Sequence, residues 1–515
     1  MFQKIAAKFN INSLLLTFYL LFVWMTYIFC NFSQNISRLL ICATASFFPI
    51  YFVVSYVLNQ LQKAIFTVKN TNSTKRNLIA YGIFTSIALF ITLFLYFGFC
   101  PGFFSVDSFS QIDQAFSGNY NDWHPVLHTL LFFTLPLKLS HSIPFIVPFQ
   151  LILLSLVMGY MGMILCKYAG IKYAIGAYAY IFLNPFVLYT ILYPWKDVGF
   201  AIFALFSMVM AIDIYYSPQT HEKYWWLNIV LGIILAVTGI LRHNGILFSL
   251  PLLFALFFHI KKKNWLIIFI TFLMIFFLIK VPLYHILNVE KPGERVIEIS
   301  GLPLTIIGNV AKETPEKMDA EMQEYAYSIA PQEQWSTIYQ CGNFNDIKWY
   351  GINDEAVESA GTFQAIKIMF KCLLRSPQAS LRALFTLTDL VYGLESAESY
   401  SIGRVLVPND YGIVPILNIQ ISNFVQNYFA IVSSTILRYA ITIGSSIVIM
   451  LSTILATTNF RQKADLKKIL LYFPIFFYNF GTMLLLSGND NRLFLVSFFI
   501  CPIVTILALM KKDTV

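Results

Sequence analysis

Three aspartates and a histidine stand together in one short polar stretch of the chain, residues 98–128. They are Asp107, Asp113, Asp122 and His124, and they follow an apolar run long enough to cross a membrane. Side chains of these types can move protons in catalysis or hold a hard cation. Hydrocarbon does not tolerate unpaired carboxylates, so this cluster beside a membrane segment predicts a functional site.

The spacing after position 106 predicts an amphipathic helix that lies in the membrane interface. The polar face would carry Asp107, Gln111 and Gln114, and the apolar face Phe109, Ile112 and Phe116. Asp107 is then presented on the polar side and is the first candidate for a catalytic residue. The alternative is a carboxylate that only complements the helix dipole.

The end of the polar stretch reads Trp123-His124-Pro125. Proline suits the first turn of a helix, so a helix is expected to start at Val126. His124 at its mouth could donate a proton, bind a phosphate or ligate a metal, and the alternative is a hydrogen bond to the backbone. We take His124 as catalytic, and Asp113, Asp122 and Trp123 as secondary, acceptor-binding candidates.

Three further polar junctions interrupt apolar runs later in the chain. They contain Lys196 and Asp197; Arg242, His243 and Asn244; and Asp490 and Arg492. Arginine forks suit a phosphate, so Lys196, Arg242, His243 and Arg492 are the phosphate-binding candidates. Asp197 is a second catalytic candidate, and Asn244 and Asp490 are secondary ones. The alternative for Lys196 and Asp197 is a salt-bridged anchor at the end of a span.

The composition places these residues in a membrane protein. Of 515 residues, 58% are hydrophobic and only 12% charged, whereas a soluble domain has about 25% charged residues. The net charge of +9 comes from short basic clusters between apolar runs, which indicates topology signals and not nucleic-acid binding. The clusters are Lys4/Lys8, Lys63/Lys69/Lys75/Arg76, Lys167/Lys172, 261–263, Arg461/Lys463/Lys467/Lys468 and Lys511/Lys512.

These clusters predict a multi-pass protein of the plasma membrane with both termini cytoplasmic and all four polar junctions outside. The predicted spans are 11–30, 39–58, 78–98, 143–165, 171–192, 198–216, 224–241, 264–285, 431–457, 469–487 and 493–510. Charge parity requires that 126–139 does not cross fully. The predicted units are two additional spans in 1–77, a core in 78–285 with external loop 99–125, an external, mostly helical region in 286–428, and C-terminal spans in 429–515.

Four of these motifs, in order, resemble the GT-C glycosyltransferases, which are integral-membrane enzymes that use polyprenyl-phosphate sugars. The motifs are DSFSQ from Asp107 with WHPVLH from Trp123, WKD from Trp195, RHNG from Arg242 and NRLF from Asn491. The likeness is to protein O-mannosyltransferases, to aminoarabinose transferases and above all to an uncharacterised bacterial family. It covers about residues 78–510. The chain departs from the pattern at Val126, at Leu493 and in having one acid at Asp107.

The resemblance implies an all-α bundle of about 11–14 transmembrane helices that moves a sugar to a cell-envelope glycan, lipid or protein outside the cell. Asp107 would be the general base, and Asp197 would orient the acceptor or help to hold a divalent cation, Mg or Mn. Lys196, Arg242 and Arg492 would stabilise the leaving phosphate of an inverting reaction. No nucleic-acid partner is implied, and whether a metal is needed stays open.

Other functions remain open at the level of sequence. A flippase or transporter for lipid-linked saccharides predicts ionisable residues in mid-span and an inverted repeat, and we find neither. A polysaccharide polymerase would explain the long external region but not the early acidic loop. A membrane scaffold would not need three basic junctions and an acid on one face.

Overall fold

The long apolar runs of the sequence form helices. In the part of the chain that the structure describes, seven helices are long and apolar enough to cross a membrane. They are Ile11–Asn31, Ile36–Lys63, Thr74–Gly98, Ile143–Tyr168, Lys196–Tyr216, Lys262–Ile286 and Asn491–Leu509. Shorter apolar helices are Val126–Ser140, Trp226–Leu241, Ile246–Phe257 and Ile443–Thr457. The prediction of an all-α polytopic membrane protein is confirmed, and the number of about 11–14 spans stays a prediction.

The structure is a computed structural model, and it describes residues 10–68, 73–291, 296–395 and 406–511. The predicted topology signals Lys4, Lys8, Lys69 and Lys512 lie outside the described residues.

The remaining helices connect the apolar ones. They are Val106–Ser117, Ile171–Phe182, Pro185–Thr190, Pro218–Lys223, Val296–Ile299, Gly301–Glu313, Pro315–Lys317, Ala320–Ile329, Gln332–Thr337, Asn345–Tyr350, Asp354–Arg375, Pro377–Tyr392, Ile419–Ser434, Ile436–Ile441, Lys463–Ile469 and Phe473–Met483. One short parallel pair of strands, Phe66–Thr67 and Met510–Lys511, completes the described elements.

The expected single span 171–192 is broken into two helices, Ile171–Phe182 and Pro185–Thr190. The cause is local, because the residue before a proline is disfavoured in the helical conformation. Asn184 takes an extended conformation there, and its side chain accepts a hydrogen bond from the Phe186 N–H at 2.9 Å. The broken helix leads into the turn that carries Trp195 to the start of the next long helix.

The basic clusters meet at one end of the bundle. Lys261 Nζ lies 2.7 Å from Glu222 Oε2, and Lys468 Nζ donates to the Met510 carbonyl at 2.6 Å. Asp213, near the end of the helix Lys196–Tyr216, binds Lys167 at this same end of that helix.

Lys196 opens the same helix, which at 1.5 Å per residue is about 30 Å long. The junctions that carry the candidate site therefore lie at the opposite end of the bundle from these basic contacts.

The helix Val126–Ser140 belongs to the shorter apolar helices and contains a π-helical stretch. The next helix begins beside the C-terminal end of the third long helix, because the Tyr96 hydroxyl donates to the Pro144 carbonyl at 2.9 Å. Both ends of Val126–Ser140 therefore lie towards the same side of the bundle. That 126–139 does not cross the membrane fully stays a prediction.

The region after the helix Lys262–Ile286 forms helices that pack around the buried side chains Trp335, Tyr339 and Phe344. Its last helix, Pro377–Tyr392, packs against the first long helix, Ile11–Asn31. Phe385 contacts both Phe22 and Phe29, with ring centroids 6.2 and 5.7 Å apart. The apolar face of Pro377–Tyr392 is thus covered by the N-terminal spans.

Candidate functional site

Each candidate side chain of the main cluster lies at or next to the end of a helix. Asp107 lies in the first turn of Val106–Ser117, and His124 just before the helix that begins at Val126. Lys196 and Asp197 open the helix Lys196–Tyr216, and Arg242 directly follows the helix Trp226–Leu241. Arg492 stands at the start of the helix Asn491–Leu509. The helix ends meet, so residues from four distant stretches of the sequence lie side by side.

The local sequence fixes the first of these helices. The Ser105 N–H donates to Ser108 Oγ at 3.2 Å, which is one half of a capping box. Gly118 ends the helix with φ 75°, a conformation that glycine adopts without steric cost. The carboxylate of Asp107 is therefore held in the first turn, where the helix dipole favours a negative charge.

Asp107 and Asp490 are the partly exposed acids of the cluster, each with a side chain that is 35% exposed. The two carboxylate oxygens of Asp107 face different partners. Arg492 donates to Oδ2 at 3.4 Å, and His124 Nε2 lies 3.9 Å from Oδ1. An exposed carboxylate oriented by two neighbours can accept a proton from a bound molecule.

His124 is 3% exposed, and its ring nitrogens have different roles. Nδ1 lies 3.3 Å from Lys196 Nζ, and an ammonium group can only donate, so Nδ1 accepts. Burial, and then the charges of Lys196 and Arg492, lower the pKa of His124 to about 3. The imidazole is therefore neutral at neutral pH, carries its proton on Nε2, and points that N–H at Asp107.

Asp197 forms a buried ion pair with Arg242. Their side chains are 2% and 7% exposed, and Arg242 Nη1 donates to Asp197 Oδ1. Arg242 Nε also donates to Asn244 Oδ1 at 3.0 Å, and Asn244 Nδ2 donates to Thr482 Oγ1 at 2.8 Å.

We expected Asp197 to touch the acceptor or a cation. Oδ1 of the buried carboxylate holds Arg242 in place, whereas Oδ2 has no hydrogen-bond partner among the described residues. The role of Asp197 towards the acceptor or a cation therefore stays a prediction.

Arg492 is held between an acid and an aromatic ring. Its Nε lies 3.0 Å from Asp490 Oδ1, and its guanidinium lies 4.7 Å from the centroid of the Trp195 ring. The other face of Trp195 stacks on Tyr193 at 3.8 Å and 11°. Trp195 also donates through Nε1 to Ser105 Oγ at 3.0 Å, which ties it to the loop before Asp107.

Sequence reasoning missed two residues that support the cluster. Trp195 opens the WKD motif but received no role of its own, although its position directly before Lys196 was a signal. Gln111 was assigned to a polar face with Asp107, but its side chain is buried, with Oε1 2.8 Å from His128 Nδ1. Thr129 Oγ1 donates to the same oxygen at 3.2 Å.

The glutamines therefore correct the predicted orientation of the helix Val106–Ser117. Gln111 and Gln114 are 1% and 4% exposed, whereas Phe116 is 58% exposed. The glutamine side of the helix faces the protein, because the polar side chains that follow Pro125 offer it hydrogen bonds. Helical spacing defines two faces but not which of them is covered.

The structure places two of the secondary candidates, Asp113 and Asp122, outside the cluster. Asp113 accepts a hydrogen bond from Tyr411, and Asp122 binds Lys280 at 3.4 Å and Tyr284 at 2.8 Å. Trp123 is 41% exposed. Asp490 and Asn244 do join the cluster, through Arg492 and Arg242. His243 directly follows Arg242 and is exposed.

The two acids proposed as cation ligands do not fit a divalent metal. Asp197 is paired with Arg242, and Asp107 faces Arg492. Lys196 directly precedes Asp197 in the chain and contacts His124, so three cationic side chains around these acids disfavour a further cation there. Within the described ranges, no group of three or more His, Cys, Asp or Glu residues could hold a metal ion.

Lys196 differs from the two arginines in its partner. Of the described residues, no carboxylate lies within 4 Å of its Nζ, and its hydrogen bond goes to a neutral imidazole. It also stands in the first turn of a 21-residue helix, whose N-terminus favours anions. The site can thus receive an anion at Lys196 and a proton at Asp107. No protein-family model, curated protein or solved structure matches the chain.

Proposed function

We propose that the chain is a membrane glycosyltransferase of the GT-C type. It moves a sugar from a polyprenyl-phosphate donor to a hydroxyl of a cell-envelope acceptor, at the outer surface of the plasma membrane. The observation that carries this proposal is the pairing of an accessible, oriented carboxylate with a cationic group that lacks a carboxylate partner. The carboxylate is Asp107 and the cation is Lys196.

Asp107 acts as the general base. The acceptor oxygen forms a bond to the anomeric carbon of the sugar, and its proton passes to Asp107. The hydrogen bond from Arg492 at 3.4 Å and the N–H of neutral His124 hold the carboxylate towards the substrate. His124 is unsuited to be the base itself, because its free nitrogen accepts from Lys196.

Lys196 and Arg492 stabilise the leaving group. The bond between the anomeric carbon and the phosphate oxygen breaks, and its electron pair leaves with the polyprenyl phosphate. Cations placed where this charge develops lower the barrier. Arg242 adds positive potential, although its pairing with buried Asp197 makes it the weaker ligand. A single displacement of this kind inverts the configuration at the anomeric carbon.

The position of the site supports a lipid-bound donor. The cluster lies at the ends of helices long enough to cross a membrane, which is the depth of a lipid phosphate. A donor anchored there by its hydrocarbon tail brings its phosphate to Lys196. A nucleotide sugar of the cytoplasm has no access to this side of the expected topology.

The test compares Asp107→Asn with Asp113→Asn in purified membranes that contain the full chain. Radiolabelled polyprenyl-phosphate hexoses and pentoses are offered, and donor binding and transfer to envelope acceptors are measured separately. A lost general base lowers the transfer rate by about 10²- to 10⁴-fold, so Asp107→Asn should retain donor binding and lose transfer. Asp113 lies on the same helix but contacts Tyr411, and its variant should transfer normally.

Normal transfer by Asp107→Asn would overturn the assignment of the base. If the unaltered chain binds lipid-linked saccharides and moves them between leaflets without cleaving them, the protein is a flippase. If it joins saccharides that remain lipid-linked, it is a polymerase.

A further inference from the structure

A second, largely apolar cavity of about 760 Å³ lies away from the cluster around Asp107. Its walls come from the helices Ile11–Asn31 and Ile36–Lys63 and from the end of Pro377–Tyr392 with the residues that follow it. We call it the N-terminal cavity. No residue of the proposed glycosyltransferase site lines it, and its size is within the usual range of about 300–1,000 Å³ for ligand pockets.

The N-terminal cavity lies at membrane depth. Asn12, near the start of the first long helix, binds the Leu455 and Thr458 carbonyls at 2.7 and 3.0 Å, shortly before the basic residues of 461–468. Asn31 therefore marks the opposite end of that helix. The lining residues Leu20 to Tyr27 lie about 6–16 Å below Asn31 at 1.5 Å per residue.

The walls select an apolar occupant. Leu20, Val23 and Ile50 are among the lining side chains, and Trp24 at the wall is 43% exposed on the outside of the bundle. Water does not fill large apolar cavities, which instead take apolar molecules. The surrounding medium at this depth is lipid hydrocarbon.

One part of the wall is polar, and it is acidic. Asp389 and Glu395 both line the cavity, together with the hydroxyl-bearing Tyr392. Glu395 is paired with Arg438 at 3.2 Å. Carboxyl groups at membrane depth are costly and are by default functional. The carboxyl group of Asp389 and the hydroxyl of Tyr392 suit hydrogen bonds to hydroxyl groups. Among the described lining residues there is no lysine or arginine, so a phosphate would meet Asp389 and no cation except Arg438, which is paired with Glu395.

We propose that the N-terminal cavity binds the hydrocarbon chain of a membrane lipid whose polar end carries hydroxyl groups and no phosphate. The chain enters between the first two long helices, and its polar end meets Asp389, Tyr392 and Glu395. The site thus differs in chemistry from the phosphate-binding cluster around Lys196. It also gives the two N-terminal spans a role of their own.

The experiment uses photoreactive lipids on the full chain in nanodiscs. Two probes carry the same diazirine acyl chains, one as diacylglycerol with a free hydroxyl and one as phosphatidic acid. Labelled peptides are identified by mass spectrometry. We expect residues 20–27 and 45–54 to be labelled by diacylglycerol about fivefold more than by phosphatidic acid, as one unit of charge repulsion implies.

Two variants fill the cavity from opposite walls, Ala45→Trp and Leu20→Trp. Either one, if it remains monodisperse, should lower labelling of these peptides about fivefold or more. Leu273→Trp is the matched control, because Leu273 is 47% exposed on the helix Lys262–Ile286 and does not line the cavity. It should leave the labelling unchanged.

Three results would overturn the proposal. The first is that the cavity peptides are labelled no more strongly than the exposed residues of the helix Lys262–Ile286. The second is that both probes label the cavity peptides equally. The third is that labelling persists in both cavity-filling variants. Asp107→Asn should not change the labelling. The outcome is therefore independent of the proposed glycosyl transfer.

Discussion

Arg492 and Asp107 are 385 positions apart in the sequence, yet Arg492 Nη1 lies 3.4 Å from Asp107 Oδ2. The contact joins the helix Val106–Ser117 to the last long helix, Asn491–Leu509. The same guanidinium is held by Asp490 and by the ring of Trp195. Arg492 thus orients the carboxylate of Asp107 and is itself held by Asp490 and Trp195.

Arg492→Lys should retain charge and lose function. Lysine has no planar fork, so it cannot stack on Trp195 and bind Asp107 and Asp490 at once. Removing one preorganised donor costs about 10²–10³-fold in rate, and we expect a loss of transfer of about 100-fold with stability nearly unchanged. The measurement is transfer from the radiolabelled donor at saturating donor concentration.

Arg438→Lys is the control for that substitution. Arg438 likewise binds a carboxylate, Glu395, and lies over an aromatic ring, Tyr439, but it does not belong to the cluster. Transfer by this variant should be close to that of the unaltered chain. An Arg492→Lys protein with full activity would show that the fork geometry is dispensable.

The sequence located the junctions of the site but not their pairing. Acids and cations interrupting apolar runs stand out by composition, which is why Asp107, Lys196, Arg242 and Arg492 were identified. Which acid meets which cation depends on how helices pack. The sequence therefore could not show that Asp197 forms a buried ion pair with Arg242, whereas Asp107 remains partly exposed.

Other features were beyond sequence reasoning for a different physical reason. Apolar runs resemble one another whatever they contact, so nothing in 380–394 predicted its packing against the helix Ile11–Asn31. The periodicity of Val106–Ser117 separated two faces without showing that Gln111 is buried. Trp195 could not be distinguished from interfacial aromatic residues until the guanidinium of Arg492 was seen over its ring.

The buried pair of Asp197 and Arg242 should behave differently under single and double substitution. Asp197→Leu leaves Arg242 buried without its carboxylate, and breaking a buried pair costs about 3–5 kcal/mol. Arg242→Met in addition removes the stranded charge, and such apolar replacements are often neutral. We expect the single variant to unfold at a clearly lower temperature and the double variant to recover most of the loss.

Activity separates this positioning role from a merely structural one. The double variant lacks a cation near the phosphate, so it should remain folded and transfer slowly, with donor KM raised. Thermal unfolding in detergent and donor titration measure the two effects. A double variant as unstable as Asp197→Leu would indicate that the pair itself stabilises the fold.

His124 makes the stability of the protein depend on pH. Burial and the neighbouring cations lower its pKa from 6.5 to about 3, so between these values the unfolded chain binds a proton that the folded protein does not. As far as His124 determines it, the free energy of unfolding is therefore highest above pH 6.5. It falls as the pH drops towards 3, by up to about 1.4 kcal/mol per pH unit. Thermal unfolding followed between pH 7.5 and 4.5 should show this decline. His124→Gln, which keeps a polar side chain without a titrating ring, should make this decline less steep, whereas His285→Gln should leave its slope unchanged. Buried His128, whose pKa burial also lowers to about 3, should supply the remaining slope. His285 lies near the end of the helix Lys262–Ile286, outside the cluster. The pH dependence would belong to another group if His285→Gln flattened the profile, or if His124→Gln left it unchanged.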